Sequence, residues 1–138
     1  MAEIPTEDDS AYPTDQAPSI RRVMMPRDTN AVGTIFGGTI LAEIDLAAAT
    51  EAHQHHAGMG VTVSMDTIDF KAPVYVGDLV SFFTRTVRIG RSSIQVQVSV
   101  WAQRRFGGGQ HAHVTEAQVT MVAVDTDFHP IPVGSVPQ

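Results

Sequence analysis

Asn30, Gly37, Gly38 and Asp45 lie within one short stretch, "TNAVGTIFGGTILAEIDLAAAT", and together have the residue types needed for attack on a carbonyl group. Asp45 falls inside "TILAEIDLAAATEAHQHHA", a run from Thr39 of strong helix formers without Pro or Gly. Its apolar side chains at Ile40, Leu41, Ile44, Ala47, Ala48 and Ala52 recur at helical spacing, and Gly58 and Gly60 stop it. On such a helix Asp45 shares a face with Leu41, Ala48, Ala49 and Ala52. An ionised carboxylate there costs several kcal/mol unless it is paired, hydrogen-bonded or open to a cleft. One reading therefore puts Asp45 at the edge of the buried stripe, in water or beside an arginine. The other makes it a general base.

Gly37 and Gly38, expected just before the helix, add weight to the second reading. Unpaired N–H groups and the positive end of the helix dipole gather there, and glycine lets a substrate approach the main chain. The pair has the makings of an oxyanion site. Two helical turns along, roughly 10 Å by the helical rise, a carboxylate could activate water against a carbonyl whose oxygen points back at those N–H groups. Asn30 supplies a neutral donor and acceptor, although a turn residue before Gly33 would be the same residue type.

The elements that must hold these residues are legible around them. A short strand is expected at Ile20 to Met24, closed by Pro26, and the polar loop to Gly38 and the helix follow. Strands are then expected at Val61 to Phe70, Leu79 to Ile89, Ile94 to Arg104 and His113 to Val124. "IQVQVSVWAQR" alternates apolar and polar residues without a miss. In Val61 to Phe70 the apolar parity changes, which predicts a bulge or bend near Asp66 and Thr67. Consecutive strands joined by turns predict an antiparallel sheet with one helix on one face, an α+β fold, and a sheet of that kind invites a partner subunit.

With 138 residues the chain holds a single core. Residues 1–18 carry five acids and three prolines without Lys or Arg, and predict a disordered leader ahead of a domain at 19–138. Since the net charge is -6, the remainder is nearly neutral and holds all nine basic residues, so it can accept an anionic ligand. No dense basic run and no aromatic platform favour nucleic acid. There is no apolar run of membrane-spanning length, no secretory signal and no cysteine, which leads to the expectation of a cytoplasmic protein without a membrane partner. "HQHH" puts His53 and His56, and a later strand His111 and His113, on common faces, but the spacing lacks a third ligand and no metal site is expected.

The segments "RDTNAVGTIFGGTILAEID", "VTVSMDTIDFKAPVYVGDLV", "VRIGRSSIQVQVSVW" and "VTEAQVTMVAVD" together resemble the hotdog-fold acyl-CoA thioesterases, specifically the short bacterial-type acyl-CoA hydrolases. The likeness runs from about Ile20 to Pro132. It implies an antiparallel hotdog sheet wrapped around the long helix, dimers pairing sheets side by side, and hexamers built as trimers of dimers. The implied reaction is hydrolysis of acyl-CoA to CoA and acid, with no cofactor beyond the CoA of the substrate. By position, the family's catalytic Asp falls on Asp45, its loop Asn on Asn30 and its glycine pair on Gly37 and Gly38, in a site formed across the dimer interface. Its CoA-contacting turn falls on Gly90, Arg91, Ser92 and Ser93, which the residues alone would equally allow as a solvated hairpin. Phe36 and Leu46 stand where many relatives carry His and Glu. A non-catalytic acyl-CoA binder on the same fold is the alternative.

Overall fold

Strict alternation over β4 (Ser93–Gln103) builds the middle of the sheet. Ile94, Val96, Val98, Val100 and Ala102 are buried in the core, while Gln95, Gln97 and Ser99 face outward. The computed structural model describes residues 11–136. β1 (Ile20–Val23), α1 (Gly37–His53), β2 (Gly60–Asp66), β3 (Leu79–Ile89), β4 and β5 (His111–Ala123) follow in that order. The strands form one antiparallel sheet in the order β1-β3-β4-β5-β2. α1 crosses its inner face, and Ala47 and Ala48, fully buried, let helix and sheet approach closely.

Several expectations are corrected. β2 pairs with β5 rather than with its successor β3, so residues 67–78 carry the chain from one edge of the sheet to the other side. α1 begins at Gly37, two residues early, because Phe36 is extended (φ -61°, ψ 129°) and the glycines adopt the helix. It stops at His53, so "HQHH" is not one helical face. The expected bend in β2 divides in two: a register shift between Thr62 and Ser64, and a positive φ of 56° at Thr67 beyond the strand's end.

Of the 1–18 leader, residues 1–10 lie outside the described residues. Within the rest, Tyr12 stacks on His111 (centroids 3.7 Å apart) and meets Phe83 and Trp101 edge-on at 5.5 and 5.7 Å. The Tyr12 ring is thus packed on the sheet's outer face, and it covers Trp101, whose parity alone would make it solvent-facing. None of the described helices is long and apolar enough to cross a membrane.

Behind the turn at Gly77, Arg104 Nη1 donates to Asp78 Oδ2 at 2.5 Å with both side chains buried, and Asp78 Oδ2 also accepts the Tyr75 N–H at 2.9 Å. Losing one partner strands the other charge. Arg104→Ala is expected to destabilise the fold by about 3–5 kcal/mol in urea unfolding, and a loss below about 1 kcal/mol would contradict a buried pair of this kind.

Candidate active site

The loop into α1 is anchored before it reaches the glycines. Asp28 is buried, and its Oδ2 accepts the Met25 N–H at 2.9 Å while Oδ1 accepts from Arg22 at 2.7 Å. Arg22 also donates to Glu43 on α1 at 3.1 Å, so one guanidinium ties the loop to the helix. Further on, the Phe36 N–H bonds to Asp28 O at 2.7 Å and the Ile35 N–H to Val74 O at 2.8 Å. Asn30 folds the intervening turn. Its Oδ1 accepts the N–H groups of Val32 and Thr34, at 3.0 and 3.2 Å, and Nδ2 donates to Thr34 Oγ1 at 3.0 Å. That is the turn role its sequence context allowed, and it leaves one amide hydrogen of Nδ2 to give away.

Gly37 and Gly38 form the first positions of α1. No side chain caps this end, and among the described residues neither glycine N–H has a protein acceptor. A Cβ on Gly38 would stand 2.3 Å from the Phe36 ring, so glycine there lets the ring lie against the helix start. A cavity of about 210 Å³ opens beside this end, lined by Thr34, Ile35, Gly37, Ile40, Phe70 and Val74. The end has the polarity an oxyanion needs and an apolar recess next to it.

Asp45 is half-buried rather than enclosed, and Thr62 Oγ1 of β2 donates to its Oδ1 at 2.5 Å. β2 pairs with β5 on one side and is the edge of the sheet on the other, so Asp45 faces an open margin. The residues following each partner, Leu46 and Val63, are 55% and 56% exposed, and Phe36 and Phe70 near the helix start are exposed as well. An unpaired edge flanked by bare apolar side chains is a surface for another chain.

Gly90, Arg91, Ser92 and Ser93 make the β3–β4 turn. The Gly90 N–H bonds to Ser93 O at 2.8 Å, and a Cβ on Gly90 would come within 2.6 Å of Ser93 Oγ. The carbonyls of Arg91 and Ser92 accept N–H groups of Val133 and Ala123, both at 2.8 Å, and the Arg91 side chain is exposed. The turn sits by the C-terminal end of α1, since Ile94 and Ala123 share a cavity with Ala52 and His56.

One protomer therefore brings Asp45 to Thr62, and Asn30 to the loop before the glycines. It leaves Asn30 and Asp45 without a hydrogen bond to each other and sets the glycines and the Gly90–Ser93 turn at opposite ends of α1. Sequence reasoning missed Thr62, Arg22 and Asp28. It also missed Glu51, whose carboxylate accepts from Thr84 at 2.9 Å and Thr86 at 2.6 Å beneath the helix. Thr62 and Glu51 act through partners distant in sequence, and the nearby pair Arg22 and Asp28 carries no periodic pattern that marks it.

The comparisons agree with this architecture. The family model described as "Thioesterase superfamily" matches residues 32–105. The acyl-CoA thioester hydrolase YciA of Salmonella typhimurium is 39% identical over 115 residues, 82% of this chain and 86% of that protein. Among solved structures, the hexameric hotdog fold thioesterase Cj0915 of Campylobacter jejuni is 43% identical with a TM-score of 0.81, covering 86% of this chain and 91% of its own. HI0827, a hexameric broad specificity acyl-coenzyme A thioesterase, is 33% identical with a TM-score of 0.85 over 94% of this chain and 89% of its own. The chain belongs to the hotdog-fold thioesterase superfamily.

The loop anchor carries a pH signature. Burial pushes the Asp28 carboxyl up, but the Met25 N–H and the Arg22 guanidinium outweigh it and hold it below the ordinary value of 3.8. A depressed folded-state value means that its contribution is present above about pH 4 and lost as pH falls through the folded value. Asp28→Asn is expected to cost about 2 kcal/mol at neutral pH, with the gap to wild type closing below about pH 4. Urea midpoints measured across that range would contradict the anchor if the gap were independent of pH.

Proposed function

We propose that this protein is an acyl-CoA thioester hydrolase working as a homo-oligomer, with each site shared between two protomers. The observation that carries the reading is Asp45, oriented by Thr62 at the open sheet edge of a chain of this family. Asp45 of one protomer takes a proton from water as the water oxygen attacks the thioester carbonyl carbon. The N–H groups of Gly37 and Gly38 in the other protomer hold the oxyanion, and the spare amide hydrogen of that protomer's Asn30 donates beside them. Collapse breaks the C–S bond, and the CoA thiolate leaves with the proton that Asp45 returns. Water is the only co-reactant, so no cofactor is required.

The apolar recess beside Gly37 offers room for the acyl group, and the exposed Arg91 with the hydroxyls of Ser92 and Ser93 suits the phosphates of the nucleotide. Pairing of two β2 edges would cover Leu46 and Val63 and extend the sheet across the dimer. The hexameric state of Cj0915 and HI0827 supports three such dimers in the assembly.

Asp45→Asn keeps the side-chain shape and removes the base. Acyl-CoA turnover, followed by thiol release, is expected to fall about 10²- to 10⁴-fold with the oligomer intact. Undiminished turnover would overturn the assignment, and binding of CoA thioesters without hydrolysis by wild type would favour a binding protein.

A further inference from the structure

The recess beside the start of α1 ends on the hydrophobic core. Ile35, Ile40 and Val74 line it and belong to the core cluster, with exposures of 6%, 1% and 4%, so they close its floor. The exposed Phe70 stands at its mouth with its ring beside Gly37, since a Cβ on that glycine would lie 3.6 Å from it. Ala72 also lines the recess and is buried without belonging to the core cluster. A larger side chain at Ala72 would therefore take up recess volume before it disturbed the core.

Backbone bonds hold these walls. Thr115 Oγ1 donates to Asp69 O at 2.8 Å and the Lys71 N–H to Val114 O at 2.7 Å, which fixes the chain to β5 on both sides of Phe70. The Ile35 N–H donates to Val74 O at 2.8 Å and joins the floor to the loop before α1. A recess framed in this way keeps its volume, and the packed core behind it resists added atoms. Among the described residues its lining holds no charged side chain, and the one polar side chain is Thr34, whose Oγ1 accepts from Asn30 Nδ2 at 3.0 Å.

We propose that this recess measures the acyl chain, taking a neutral aliphatic group of up to about eight carbons, and that Ala72 sets its depth. The inference rests on the acyl-CoA hydrolysis proposed above. An apolar cavity of about 150 Å³ holds benzene, with its six carbons. In proportion, the volume of about 210 Å³ holds about eight. Gly37, a proposed oxyanion donor, lies on the lining, so a thioester carbonyl held at its N–H has the recess open to its alkyl chain. Each methylene that enters adds binding, and the first that does not fit stays in water or strains the walls. A carboxylate at the end of the chain would meet no partner on the floor and is rejected by its desolvation.

Straight-chain CoA esters from acetyl to palmitoyl, followed by thiol release, test the limit. For wild type, kcat/KM is expected to rise about threefold with each added methylene as far as about octanoyl, and to gain nothing beyond. Adipoyl-CoA, whose six-carbon chain ends in a carboxylate, is expected at least about a hundredfold below hexanoyl-CoA. Ala72→Val and Ala72→Leu are expected to move the optimum stepwise toward shorter chains, with the octanoyl-to-butyryl ratio of kcat/KM falling about tenfold for leucine. Val74→Ala moves it toward longer chains, so the valine and alanine variants carry the test even where Ala72→Leu does not fold. An optimum at acetyl or at palmitoyl, parity of adipoyl with hexanoyl, or variant losses equal at every chain length would each overturn the inference while leaving the hydrolase reading standing. Failure of wild type to hydrolyse any CoA thioester overturns both.

Discussion

An α-helix is rigid along its axis, and seven residues of α1 separate Gly38 from Asp45, about 10 Å of rise. The free N–H groups of Gly37 and Gly38 also point out of the helix's N-terminal end, away from Asp45. A carbonyl oxygen in front of that end is farther still from the carboxylate behind it. The proposed donors and the proposed base on one helix therefore stand too far apart to act on one thioester, although their spacing in sequence makes them look like a single motif. Two antiparallel copies of the helix remove the conflict, because the start of one can lie opposite the middle of the other.

The remaining structure is consistent with such a divided site. The half-buried Asp45 is open toward the sheet margin at β2, and the exposed Leu46 and Val63 beside it gain from being covered. The loop before α1 is pinned by Arg22, Asp28 and Glu43, so the glycine N–H groups are held in place before any substrate arrives. On the other side of the sheet, polar residues such as Gln97 and Glu116 bond to one another, at 3.0 Å, away from the chemistry.

Much of this was legible in the sequence. The period of β4, the full extent of β3 and the helix with its aspartate follow from local patterns, and the resemblance supplies the fold name and the candidate site residues. What local patterns do not encode is long-range pairing. β2 passes over its neighbour in sequence to join β5, and nothing in Val61 to Phe70 announces that choice. An acidic, proline-containing leader has few apolar groups to announce packing, yet the single aromatic ring of Tyr12 suffices to cover Trp101. Asn30 was read both ways from sequence, and both remain compatible: its carbonyl oxygen and one amide hydrogen fold the turn, and the other hydrogen is spare. His56 gave no sign of its burial, because the rotation of its ring inward depends on a tail residue, Gly134, 78 positions later.

The divided site is tested most directly by complementation between two inactive proteins. Asp45→Asn and Asn30→Ala chains, separately tagged, co-expressed and purified through both tags, yield mixed oligomers that contain dimers of one chain of each kind. Each mixed dimer has one site with Asp45 and Asn30 both intact and one with neither. The account predicts that each parent alone is nearly inactive and that the mixed dimer recovers up to half the wild-type acyl-CoA turnover. A mixed dimer no more active than its parents would contradict a site shared between two protomers.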